Sequence, residues 1–254
     1  MNDAVASRLA RDFWLACWRA MIRYHRYEAE GVENLDGIGS ALIAGYHGRP
    51  AAWDMAMLTV VLYDRLGYIP HGIFHKALMK PPVGWLLEGI GGVGGDSDEL
   101  AAAVENGEHI IVTPGGVPEG TRSSLDKYRV HWGDRVGYVR LAARHRIPIV
   151  PAGAEGVDDT FIGLNNGYLT SRRFGFSGSF PMWVGIGPLG LSPFSPPFPV
   201  KIRTLIGKPI MDTTDPGLDP SDNDSLKRIH QKTTRAVQAL LDRANGNRDQ
   251  GDGK

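Results

Sequence analysis

A histidine near neutral pH takes a proton from a hydroxyl, and a carboxylate near its ring stabilises the imidazolium that forms. His47 and Asp54 offer this pair in the run Tyr46-His-Gly-Arg-Pro-Ala-Ala-Trp-Asp54. Ala41-Leu-Ile-Ala-Gly-Tyr46, just before His47, reads as a short buried strand, and α/β sheets place their sites at strand ends. Pro50 suits the first position of a helix predicted to run through Met55 to Leu62, with Asp54 in its opening turn. Taken in isolation, the pair reads more simply as a strand-end histidine satisfying a backbone group and a charge at a helix start.

The second candidate is Thr113-Pro-Gly-Gly-Val-Pro-Glu-Gly-Thr-Arg-Ser-Ser124, which follows a predicted strand over 109–113. Gly115, Gly116 and Gly120 let the backbone bend tightly around a ligand. Exposed amides, Thr121, Arg122 and Ser123 suit a phosphate or polar head group, with Glu119 among them. The plain alternative is a loop with a surface arginine. A strand-end loop of this composition reads as functional. Gly89-Ile-Gly-Gly-Val-Gly94 matches the dinucleotide glycine pattern, but that fingerprint needs a strand before it, and Gly84-Trp-Leu-Leu-Glu88 looks helical or turn-like. His71 and His75 are four apart in a strand-like stretch with no carboxylate ligand nearby, so no metal pair is expected.

These segments need an α/β frame. Strands are expected over 27–32, 41–46, 71–76, 109–113, 147–152 and 200–206, the last with alternating faces. Helices are expected over 4–25, from Pro50, over 98–105 capped by Ser97, over 133–145, and after Ser221. That alternation predicts one α/β domain, residues 27–244, with a largely parallel central sheet flanked by helices. An amphipathic helix (residues 1–26) precedes it, and a polar disordered tail (residues 245–254) follows.

On the first helix, Arg8, Arg11, Arg19, Arg23 and Arg26 fall within about 120° of arc. Phe13, Trp14, Cys17, Met21 and Tyr24 lie opposite, with Trp18 at the boundary. Such a helix either lies in a membrane interface or packs on its own domain by the same face. The run from Phe174 to Val200 carries no charge, but its five glycines and six prolines rule it out as a spanning helix. It reads as a lip for acyl chains or membrane, or as an apolar loop over the core. Lysine plus arginine and aspartate plus glutamate are 28 each, so the net charge is zero and a nucleic-acid partner is disfavoured. The single cysteine, Cys17, excludes an intramolecular disulfide and a cysteine-rich zinc site. No signal peptide is read at the start.

Taken together, these segments resemble the lysophospholipid acyltransferase superfamily, closest to the branch of the transmembrane-protein-68 type and the diacylglycerol acyltransferase-like enzymes. His47 and Asp54 match its histidine–aspartate motif. Lys76-Ala-Leu-Met-Lys-Pro-Pro-Val-Gly-Trp85 resembles the segment after it. Pro118-Glu-Gly-Thr-Arg-Ser123 matches the acceptor motif of the phospholipid branch, and Pro114-Gly-Gly-Val117 with Glu119 matches the neutral-lipid branch. Tyr128-Arg-Val-His-Trp-Gly133, Ile147-Pro-Ile-Val-Pro-Ala152, Phe198-Pro-Val-Lys-Ile-Arg-Thr204 and Gly207-Lys-Pro-Ile210 are similar in the same order. Two features depart from the pattern. Six residues, not the usual four, separate His47 from Asp54, and Asp96 stands where a basic residue often binds acceptor phosphate.

The resemblance implies acyl transfer from acyl-CoA, a co-substrate, to a hydroxyl of a glycerolipid, with no cofactor and no metal. It makes His47 the general base and Asp54 its orienting partner. Gly115, Gly116, Glu119, Gly120, Thr121 and Arg122 would bind substrate. It also implies a peripheral protein on the cytoplasmic face of a membrane, held through the first helix. The acceptor stays open between lysophosphatidate and mono- or diacylglycerol. A non-catalytic lipid-binding protein on the same fold and a nucleotide-dependent oxidoreductase are the rival readings.

Overall fold

Leu42-Ile-Ala-Gly45, Ile110-Ile-Val112 and Ile149-Val-Pro-Ala152 have no polar position to turn toward water. Such strands are stable only with both faces covered. The computed structural model describes residues 3–74, 84–95, 97–176 and 181–251, and it places these three segments together at the middle of a seven-stranded sheet. In chain order the elements are α1 (Asp3–Tyr24), β1 (Glu28–Glu30), β2 (Leu42–Gly45), α2 (Trp53–Leu66), β3 (His71–Ile73), α3 (Gly84–Gly89), β4 (Gly92–Val93), α4 (Asp98–Glu105) and β5 (Ile110–Val112). There follow α5 (Gly116–Gly120), α6 (Gly137–His145), β6 (Ile149–Glu155), β7 (Ile162–Gly163), α7 (Gly167–Arg173), β8 (Gly185–Gly187), β9 (Gly190–Leu191), β10 (Arg203–Ile206) and α8 (Asn223–Gly251).

The main sheet has the order β1-β10-β6-β2-β5-β3-β4. From β6 to β4 every pairing is parallel, while β10 runs antiparallel to β6 and parallel to β1. Ile43 of β2 lies between Ile111 and Val150. This is the largely parallel, helix-flanked α/β domain expected. α2 is apolar nearly all round because it lies between the sheet and α1, and most of its residues from Asp54 to Leu62 are buried.

Several local expectations change. Pro50 does not open α2. The helix starts at Trp53, behind Ala52 at a left-handed φ of 51°. Ser221 does not cap α8. Asp222 does, accepting the Asp224 amide at 3.0 Å, while the Ser221 hydroxyl donates to Asp219. α8 continues as helix to Gly251, across most of the expected tail. β10 shows no alternation of buried and exposed positions over 204–206: Thr204, Leu205 and Ile206 are all buried, with α2 and α8 packed against the strand. The β7-β8-β9 sheet was not foreseen. A helix, α3, precedes the glycine run at 89–94, so the dinucleotide fingerprint lacks its strand and the oxidoreductase reading falls. Lys76 to Val83, His75 and Asp96 lie outside the described residues.

α1 divides its aromatic residues. Trp14 donates to Thr59 Oγ1 of α2 at 2.9 Å, and Trp18 and Met21 pack on the core. Phe13, Cys17 and Tyr24, expected on the same side, face outward. The buried arc is therefore rotated toward Ala10, Leu15 and Ile22.

β6 ends in a tight turn that begins at Gly156, with φ of 80°. A Cβ there would overlap the Lys201 carbonyl oxygen as well as strain the backbone. Gly156→Ala is expected to cost about 2–3 kcal/mol and lower the melting temperature by roughly 5–10 °C. An unchanged melting curve would show that this turn tolerates a side chain.

Candidate active site

β2 delivers Tyr46 and His47 to the C-terminal edge of the parallel strands, where α/β sheets form their sites. His47 is half-buried, and its Nδ1 lies 3.2 Å from the Gly48 carbonyl oxygen. A carbonyl only accepts, so Nδ1 carries the proton and Nε2 holds the free lone pair. Burial holds the imidazole below its usual pKa, which keeps it neutral. The ring lies against Gly120, where any Cβ would overlap it.

Glu119 is fully buried beneath this histidine. Its Oε2 accepts from the His47 amide at 2.9 Å and from Trp132 Nε1 at 3.1 Å, and its Oε1 accepts from the His131 amide at 2.7 Å. Burial pushes its carboxyl up to about 8, and these donors pull the other way. Glu119 thus fixes the backbone under the base.

The deepest feature is Asp158, with no exposed surface. Its Oδ2 accepts from Tyr46 Oη at 2.6 Å, Arg122 Nη1 at 2.7 Å and the Tyr128 amide at 2.9 Å. Its Oδ1 accepts from the Arg49 amide at 3.2 Å and lies 3.6 Å from Arg49 Nε. Arg122 also donates from Nη2 to the His47 carbonyl at 2.6 Å and stacks over the Tyr46 ring at 4.3 Å. Arg49 donates to Ser124 Oγ at 3.1 Å, to the Arg122 carbonyl at 3.3 Å and to the Asp158 carbonyl.

The structure therefore gathers His47, Glu119, Gly120 and Arg122. Arg122 is only 1% exposed and turned inward on Asp158, not toward an acceptor. Asp54 is fully buried but makes no bond to His47, and neither carboxylate oxygen has a hydrogen-bond partner among the described residues. A Cβ on Gly48 would sit 2.6 Å from Asp54 Oδ1, so the carboxyl lies behind the peptide that orients the ring. Burial, then the charge of Asp158, raises Asp54 to about 8 against the pull of the nearby Met55, Asp54 and Gly48 amides. The Thr121 hydroxyl is spent on the Val117 carbonyl at 2.8 Å. The Gly115 carbonyl is held by Arg135, and Gly116 turns at φ of 53°. Sequence reasoning missed Tyr46, Arg49, Tyr128 and Asp158. Tyr46 and Arg49 stood in the run around His47 and Tyr128 at the head of a family-like segment, without a role given to any of them, and Asp158 carried no signal. Among the described residues, no group of three or more histidine, cysteine, aspartate or glutamate side chains is gathered as a metal site requires.

The family model for Acyltransferase matches residues 26–155, just over half of the chain. The chain belongs to the acyltransferase family. The match ends three residues before Asp158. Two relatives are named "DGAT1/2-independent enzyme synthesizing storage lipids": that of Bos taurus is 27% identical over 87% of this chain and 60% of its own length. That of Homo sapiens is 27% identical over 87% and 62%. An uncharacterized protein of Mycobacterium tuberculosis is 26% identical over 91% of this chain and 65% of its own. The chain thus spans about three-fifths of the length of these curated relatives. Among solved structures, the 1-acyl-sn-glycerophosphate acyltransferase PlsC of Thermotoga maritima superposes with a TM-score of 0.51 at 20% identity, over 90% of this chain and 79% of that one. The acyltransferase fold is shared.

Two expectations follow for this candidate site. Asp158→Asn removes the charge between two buried guanidiniums and is expected to cost about 3–5 kcal/mol, read as a lower urea midpoint. An unchanged midpoint would mean that the arginines have another counter-charge. Asp54 holds a proton in the folded chain that the unfolded chain releases above its ordinary 3.8. Its contribution is full below that value and is lost as pH rises through about 8. The melting temperature is expected to fall by roughly 5 °C between pH 5 and 8, and less steeply in Asp54→Asn. Equal slopes in the two proteins would show that Asp54 does not titrate in this range.

Proposed function

We propose that this protein transfers a fatty acyl group from a thioester, acyl-CoA, to a hydroxyl of a neutral glycerolipid, with His47 as general base. The observation that carries this reading is a neutral imidazole at the end of β2, with Nε2 free to act as base, seated on Gly120 of the Glu-Gly-Thr-Arg run. His47 Nε2 takes the acceptor proton as the hydroxyl oxygen attacks the thioester carbonyl. The tetrahedral intermediate collapses, the C–S bond breaks, and the imidazolium returns its proton to the departing thiolate. Gly48 and Glu119 hold the base from ring and backbone, and Asp54, protonated at rest behind the Gly48 peptide, leaves the imidazole neutral and ready to accept the proton.

The acceptor class rests on Arg122. A cation that binds acceptor phosphate must present its guanidinium to the ligand. Here both terminal nitrogens are committed, to Asp158, Tyr46 and the His47 carbonyl. This favours mono- or diacylglycerol over lysophosphatidate, and the storage-lipid names of the bovine and human relatives agree. An acceptor held in lipid would bring the protein to a membrane surface, the cytoplasmic one in this reading. Among the described residues, no helix is long and apolar enough to cross a membrane.

A panel of monoacylglycerol, diacylglycerol and lysophosphatidate with one long-chain acyl-CoA, products identified by mass, tests the reading. Transfer to the neutral acceptors is expected, with His47→Ala lowering kcat by about 10²–10⁴ at an unchanged melting temperature. Preference for lysophosphatidate would overturn the acceptor class. Undiminished turnover by His47→Ala would remove the base. Lipid binding without any transfer by the parent protein would favour the non-catalytic reading, for which the absent His47–Asp54 bond speaks.

A further inference from the structure

The β7-β8-β9 sheet has two unlike faces. Its pairs are Ile162 with Ile186, Ile186 with Leu191, Gly163 with Gly185, and Gly187 with Gly190. Paired residues of an antiparallel sheet share a face. The opposite face is therefore all glycine, and at Gly163, Gly185 and Gly187 neighbouring groups press directly on it. A Cβ on Gly163 would overlap the Arg49 guanidinium, one on Gly185 the Trp183 ring, and one on Gly187 the Pro196 carbonyl and the Ser195 hydroxyl. The outer face carries Ile162, Leu164, Val184 and Leu191, each between 38% and 56% exposed. Beside it, Leu189 is 79% and Phe194 92% exposed. Ten of the fifteen most exposed large apolar side chains among the described residues lie between 162 and 194, so the exposure is concentrated and not scattered.

Charge identifies the occupant. From Thr160 to Met211 there is no aspartate or glutamate. Arg172 and Arg173 are exposed at the end of α7, next to the exposed Phe174 and Phe176. An exposed apolar segment that carries no acid along its length and bears exposed cations complements an anionic lipid surface. A second copy of the chain fits less well, since a two-fold contact across this face brings the same arginines together.

The face is also bonded to the candidate active site. The Gly163 amide donates to Ser124 Oγ at 2.9 Å, Trp183 Nε1 to the Arg122 carbonyl at 3.1 Å, and the Gly167 amide to the Thr121 carbonyl at 2.8 Å. We infer that the outer face of the β7-β8-β9 sheet, with Leu189 and Phe194, docks the protein on an anionic lipid surface. That contact sets the His47 loop at the lipid boundary, and α1 is a secondary contact. The docking stands whether or not acyl transfer occurs.

Flotation with vesicles of phosphatidylcholine plus phosphatidylglycerol, compared with phosphatidylcholine alone, reads docking without turnover. The parent is expected to float on the mixed vesicles. Leu189→Ser/Phe194→Ser is expected to reduce the bound fraction about tenfold, and Arg172→Gln/Arg173→Gln about threefold on the mixed vesicles only. Leu9→Ser/Phe13→Ser on α1 should change it less than the sheet pair. All these positions are exposed, and unchanged melting temperatures confirm the fold. A sheet variant that floats like the parent overturns the inference, as does a parent that does not float. A parent dimer that the sheet variant splits, with flotation unchanged, assigns the face to self-association instead. Transfer to a water-soluble short-chain acceptor should survive in the sheet variant, which keeps this test separate from that of His47.

Discussion

One buried carboxylate shared by two buried guanidiniums governs the geometry of this protein. Removing such groups from water costs several kcal/mol each, and the cost is offset only by close, well-directed partners. Asp158 finds them in Tyr46, Arg49, Arg122 and the Tyr128 amide. These partners come from the exit of β2 and from the segment between α5 and α6. The cluster therefore fixes where those segments lie relative to β6, and with them the carbonyl of His47. Because Asp158 is ion-paired with both buried guanidiniums, an uncharged side chain of its size does not replace it.

The other two buried carboxyls near His47 contrast with it. Glu119 has three well-directed N–H donors and holds backbone, while Asp54 has only the amides of Met55, Gly48 and its own residue nearby, none in a well-formed hydrogen bond. A buried acid without well-formed hydrogen bonds favours its neutral form. The resting arrangement is then a neutral imidazole oriented by a carbonyl, with a proton-bearing acid behind it. Charge on Asp54 becomes favourable when positive charge develops on the ring.

The parts of this structure legible in the sequence are those set by local chemistry. β2, β5 and β6 announce themselves because a strand with no polar position must be covered on both faces. His47, Glu119 and Gly120 are legible as a strand-end histidine and a glycine-rich loop. The orientation of Arg122 is not, because it depends on Asp158, which sits in the unpatterned run Gly-Val-Asp-Asp-Thr. Nor is the β7-β8-β9 sheet, whose two- and three-residue strands of glycine and one apolar residue are too short to show a period. On α1 the periodicity is sound, but which arc is buried is decided by α2 through Thr59, a partner the helix sequence does not contain.

The order of the cluster along the chain has a consequence for how the protein is made. Arg49 and Arg122 leave the ribosome before Asp158 does. Until the turn after β6 emerges, two guanidiniums have no counter-ion and no reason to leave water, so the loops around His47 stay open while the central strands gather. A fragment ending at residue 155, where the family resemblance stops, would hold the histidine and the glycine loop yet be arrested at that stage. Closure of these loops around His47 is thus a late, long-range event in folding, and it waits on a residue outside the recognisable pattern.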